Sequence, residues 1–79
     1  MKAKVFVSLK PSILDPQGNA VAEALNTLGY QAVQDVRQGK YFELDIEGET
    51  EEQVRNTAVE VADKLLANPV IETYRVEVE

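Results

Sequence analysis

Two hydrophobic periods divide this chain and predict an α+β fold, an antiparallel sheet with two helices on one face. Alternating apolar residues mark strands at Lys4–Lys10, Lys40–Glu47 and Ile71–Glu79. Three- and four-residue spacing marks helices at Pro16–Leu28 and Glu51–Ala67. Acidic residues on the later strands also complement lysines on the first.

The first strand turns Val5, Val7 and Leu9 to one face and Lys2, Lys4, Ser8 and Lys10 to the other, with Phe6 as the exception. Asp15 then suits a helix N-cap, and Pro16 suits the first helical position, where a missing N–H costs nothing. Val21, Leu25 and Leu28, with Ala20 and Ala24 beside them, form an apolar stripe, and Gly29 ends the helix. In the next stretch Phe42, Leu44 and Ile46 alternate with Tyr41, Glu43, Asp45 and Glu47. Before it, Val33 and Val36 fall on opposite faces of any regular strand. Two strands, about Ala32–Gln38 and Lys40–Glu47, joined tightly at Gln38-Gly39, accommodate this; one long bent strand is the alternative.

Thr50 and Gln53 form a capping box, and Glu51 and Glu52 suit the positive end of the second helix. Val54, Ala58, Val61 and Leu65 make its inward stripe, widened by Ala62 and Leu66, and Asn68-Pro69 stops it. Tyr74, Val76 and Val78 share one face of the last strand.

The order β-α-β-β-α-β is the split βαβ of ferredoxin-like domains. There the first strand lies between the third and fourth. Its lysines would then face Glu43, Asp45 and Glu47 on one side and Glu77 and Glu79 on the other, each pair contributing about 0.2–1 kcal/mol. The uncovered sheet face carries Phe6 and Tyr41 among charges. Singly exposed aromatics are ordinary, but two together on a bare sheet point to a sheet-mediated contact between copies.

At 79 residues the chain is one domain, residues 1–79, with no repeat or linker. A chain this short buries only about 60% of its unfolded surface, and with no Cys a disulfide staple is excluded. Oligomerisation, as a homodimer or homotetramer, is the remaining common source of burial. A net charge of −6 argues against nucleic acid. No apolar run approaches the ~20 residues of a membrane span, and the N-terminus lacks a signal-peptide core, so a cytoplasmic location is expected. Without His or Cys there is no imidazole base and no thiol nucleophile.

Three segments taken together, Leu9–Gly18 (LKPSILDPQG), Val36–Lys40 (VRQGK) and Lys64–Glu72 (KLLANPVIE), resemble the PurS family. That family is the small subunit of phosphoribosylformylglycinamidine (FGAM) synthase. The resemblance implies a role in purine biosynthesis, in the ATP- and glutamine-dependent conversion of formylglycinamide ribonucleotide to its amidine. A glutaminase subunit with a Cys nucleophile releases ammonia, and a large synthase subunit uses ATP and Mg to activate the amide oxygen. The small subunit, without activity or cofactor of its own, would bridge these two partners and assist ammonia transfer.

On this reading the candidates for partner contact are Lys10, Asp15, Pro16, Gln17, Gly18, Arg37, Gly39, Lys40, Asn68 and Pro69, and those for copy-to-copy contact are Phe6 and Tyr41. No residue is a candidate for catalysis or metal binding. Several of the partner-contact candidates also have a plainer explanation, whereas Lys10 and Gln17 answer no such local need. Asp15, Pro16 and Gly18 fit helix-start grammar, Arg37 and Lys40 fit a charged turn about Gly39, and Asn68-Pro69 fits a helix stop. Arg37 and Lys40 could alternatively anchor an acidic partner surface or a nucleotide phosphate. A small-molecule sensor resembling ACT domains shares the element order and is the alternative function. An acylphosphatase-like enzyme is set aside, because its glycine-rich phosphate loop with an arginine is lacking.

Overall fold

A computed structural model describes residues 1–79. Its elements are β1 (Lys2–Leu9), α1 (Pro16–Thr27), β2 (Gly39–Asp45), α2 (Glu51–Val61, prolonged by a π-helical turn at Ala62–Leu66) and β3 (Glu72–Val78). The sheet is antiparallel in the order β2-β1-β3. The fold is the expected α+β ferredoxin-like one, with the first strand in the centre. Lys4 lies opposite both Glu43 and Glu77, and Lys2 opposite Asp45. The lysine nevertheless reaches diagonally, its Nζ 2.5 Å from Glu79 Oε1.

Alternation puts Ala3, Val5 and Val7 under α2, where Val54, Ala58 and Ala62 meet them; all six are fully buried or nearly so. Phe42, Leu44, Tyr74 and Val76 close the sides of this core. Both helix starts follow their side chains. Asp15 Oδ1 accepts from the Gly18 N–H at 2.9 Å, and Thr50 Oγ1 from the Gln53 N–H at 3.2 Å. The return bond of the second cap goes from the Glu49 N–H to Gln53 Oε1, one residue earlier than in the usual box. Gly29, at φ 104°, closes α1 in a Schellman motif, with Tyr30 N–H on Leu25 O and Gly29 N–H on Asn26 O.

Three expectations are corrected. Residues 32–38 form no strand, separate or bent, and there is no hairpin tip at Gln38-Gly39. Two backbone donors of this stretch are taken elsewhere: Val33 N–H bonds Tyr30 O, and Gln38 N–H bonds the Asp15 carboxylate. Gly39 therefore opens β2 rather than pivoting a turn. Its lack of a side chain answers a close approach, since a Cβ there would run into the Val7 carbonyl oxygen. Leu65, assigned to the inward stripe, is 80% exposed. The π turn, in which Ala67 N–H bonds Ala62 O, carries Leu66 and the buried Ala67 toward the core instead.

The helices differ in support. α2 packs on β1 and β3, whereas α1 has no comparable contact with any other element. Val21 and Leu28 of its stripe stay exposed. The chain is accordingly long, 50 × 25 × 14 Å, with a radius of gyration of 15.8 Å. A compact domain of this length has roughly 12 Å.

Stability should therefore reside in the sheet and α2. Val5→Ala, which opens a cavity at a fully buried site, is expected to cost about 2 kcal/mol in urea unfolding.

Candidate functional site

The three segments singled out in the sequence meet at one end of the sheet. β1 gives way to a loop whose first residue, Lys10, donates its N–H to Ile71 O at 2.9 Å, just ahead of β3. The loop turns on the Ile13 N–H to Lys10 O bond and delivers Asp15 to the start of α1. There Asp15 is only 4% exposed. One carboxylate oxygen accepts from Gly18 N–H, and the other accepts from Gln38 N–H at 2.8 Å. A single side chain thus caps a helix and holds the segment entering β2.

Arg37 clasps the same loop from outside. Its Nη2 donates to Lys10 O and to Ile13 O, both at 3.0 Å. Gln38 Nε2 donates to Gln17 Oε1 at 3.1 Å. Gly18 sits directly against this segment, and a Cβ there would collide with the Val36 carbonyl oxygen. The third segment joins through Glu72. Its Oε1 accepts from Asn68 N–H at 2.7 Å, and its Oε2 lies 3.4 Å from Lys40 Nζ. The turn after α2 is completed by Val70 N–H on Asn68 Oδ1 and Glu72 N–H on Asn68 O.

Between these groups lies a cleft of about 220 Å³ whose lining includes Ser8, Asp15, Gln17, Gln38, Lys40 and Glu72. The hydrogen bond from Gly18 N–H, then that from Gln38 N–H, holds the Asp15 carboxyl below its usual range, with help from Arg37 and against the cost of burial. No cluster of acidic side chains is arranged to hold a metal ion.

All ten partner-contact candidates lie around this end, but in different states. Asp15, Gly18, Arg37 and Gly39 are engaged in internal contacts, Gln17 and Lys40 each keep one internal partner, and Pro16 and Pro69 are exposed. Gln38 and Glu72 were not singled out, although both lie within the segments that were; their roles depend on residues distant in sequence.

The open sheet face carries a second feature. Phe6 stacks on Tyr41, ring centroids 5.1 Å apart, and Arg75 Cζ lies 4.4 Å from the Phe6 centroid on the opposite side strand. Tyr41 Oη donates to Glu43 Oε1 at 2.8 Å, which raises the phenol pKa, and Arg75 pairs with Glu77. Arg75 had not been assigned to this face's cluster; the strand register supplies it.

Comparison with known proteins agrees with the arrangement. A family model, PurS, described as phosphoribosylformylglycinamidine (FGAM) synthase, matches residues 2–79. The phosphoribosylformylglycinamidine synthase subunit PurS of Bacillus subtilis is 56% identical over 78 residues, covering 99% of this chain and 92% of that protein. The crystal structure of Methanocaldococcus jannaschii PurS superposes with a TM-score of 0.90 at 42% identity, covering 99% of this chain and 94% of that one. A chain in the structure of PurLQS from Thermotoga maritima gives 0.89 at 29% identity, covering 96% and 93%. None of these relatives is an ACT-type sensor, and that alternative is not supported.

A pH experiment tests the knot. Because Asp15 binds its proton less readily folded than unfolded, its contribution is fully present above the unfolded value near 3.8 and is lost as pH falls through the lower folded value. Asp15→Asn keeps a cap oxygen but has no proton to gain. Its stability at neutral pH should fall below the parent's, and the gap should narrow below pH ~4 in thermal melts.

Proposed function

This chain belongs to the PurS family, and on that premise we propose that it is the small, non-catalytic subunit of FGAM synthase in purine biosynthesis. It bridges the glutaminase and the large synthase subunit in the cytoplasm and assists ammonia transfer between them. ATP is bound by the synthase partner. The observation that carries this reading is the likeness to a chain of the T. maritima PurLQS structure over almost the full length of both. No helix is long and apolar enough to cross a membrane.

The chemistry gives a bridging subunit a purpose. Ammonia released into neutral water is mostly ammonium, which has no free lone pair for attack. Holding two active sites together and enclosing the path between them keeps the nucleophile neutral and local. That task needs rigid geometry and docking surfaces. The sheet end, where Gln17 and Lys40 line the cleft and Pro16 and Pro69 are exposed, supplies one such surface in this reading.

The chain also works as a homodimer or homotetramer. Its length, the uncovered Val21 and Leu28 of α1 and the aromatic pair on the open sheet face all support this. A second copy would cover the apolar area that one chain leaves in water.

Two measurements test these statements. Omitting the chain from a reconstituted synthase should sharply reduce glutamine-driven turnover and leave ammonia-driven turnover much less affected. An unchanged glutamine-driven rate defeats the bridging role. Sedimentation equilibrium should return a dimer or tetramer mass, and a monomer at every concentration refutes self-association.

A further inference from the structure

α1 has almost nothing beside it, so its direction must be set at its root. A rod fixed at one end needs several attachment points that do not lie on one line. The structure has them: Asp15 to Gly18 N–H and to Gln38 N–H, Gln17 to Gln38, and Arg37 to two loop carbonyls. The Gly18 backbone resting on the Val36 carbonyl adds a steric stop. We propose that Arg37 and Asp15 are positioning residues, and that this hydrogen-bonded knot fixes the angle at which α1 leaves the sheet. The functional consequence rests on the bridging reading above; the geometry does not.

Arg37 suits this role better than that of a surface anchor. Its guanidinium is exposed, yet one nitrogen straddles the carbonyls of Lys10 and Ile13. It thereby ties down the segment that feeds Asp15 into the helix. Arg37 also stands beside the Asp15 carboxylate and favours its charged form. Arg55 offers an internal comparison: it too is an exposed arginine that donates to a carbonyl, Val76 O at 3.2 Å, but it lies outside the knot.

The absence of cysteine allows a direct measurement. Glu23→Cys on α1 and Asn56→Cys on α2, both at exposed positions, accept nitroxide labels. Dilution with unlabelled chain restricts pulsed dipolar spectroscopy to distances within one chain. The parent should give one narrow peak, and Arg55→Gln should leave it narrow. Asp15→Asn combined with Arg37→Gln should lose that peak to a broad distribution while the far-UV spectrum stays folded. If the double variant unfolds, Arg37→Gln alone, which removes only an exposed side chain, is read by the same criterion.

A peak that stays narrow in the folded variant overturns the proposal, because other contacts would then be setting the angle. The same variants in the reconstituted synthase separate the two ideas. A broadened distribution with undiminished glutamine-driven turnover supports the knot and shows that bridging does not depend on the direction of α1.

Discussion

The carboxylate of Asp15 is the point on which this molecule turns. Its two oxygens satisfy backbone donors from two segments with different destinations, the first turn of α1 and the residue before β2. A buried charge is tolerated only where hydrogen bonds replace water, and here both oxygens are occupied. The same contact that starts the helix therefore decides where the next strand begins. The three segments shared with the PurS family lie around this group because each supplies part of its surroundings: the loop and cap, the Arg37–Lys40 stretch, and the turn that places Glu72 against Lys40.

Local rules made much of the fold legible in the sequence. Strand alternation, the Asp15-Pro16 helix start, the Thr50–Gln53 cap and Gly29 all depend on neighbours within a few residues. Residues 32–38 were not legible in this way. Gln38 N–H goes to a side chain 23 residues earlier and Val33 N–H to the nearby Tyr30 carbonyl, and neither bond leaves a period in the sequence. Leu65 was misassigned because one wide turn shifts the phase of a helix near its end. A stripe counted at regular spacing cannot register that shift.

The site was legible as a set of residues more than as a set of roles. The three segments converge at one end of the sheet, which nothing in their spacing along the sequence announces. Several residues marked for outward contact, Arg37 above all, turn inward to hold the loop. On the sheet face Phe6 and Tyr41 are neighbours, as their strand positions suggested, but Arg75 was visible only once the register placed it across from Phe6. Its guanidinium over the ring makes a row of three flat groups, with Glu43 and Glu77 pairing the row's outer members. Such a surface is ordered before anything touches it, which lowers the entropy lost on contact.

The free-standing helix converts small angles into large displacements. With 12 residues at 1.5 Å rise, α1 is a lever about 18 Å long, and a tilt of roughly 10° at its root moves its tip by about 3 Å. A small angular error at the root is thus magnified at the far end of the helix, so a substitution at Asp15 or Arg37 is felt well beyond its own surroundings.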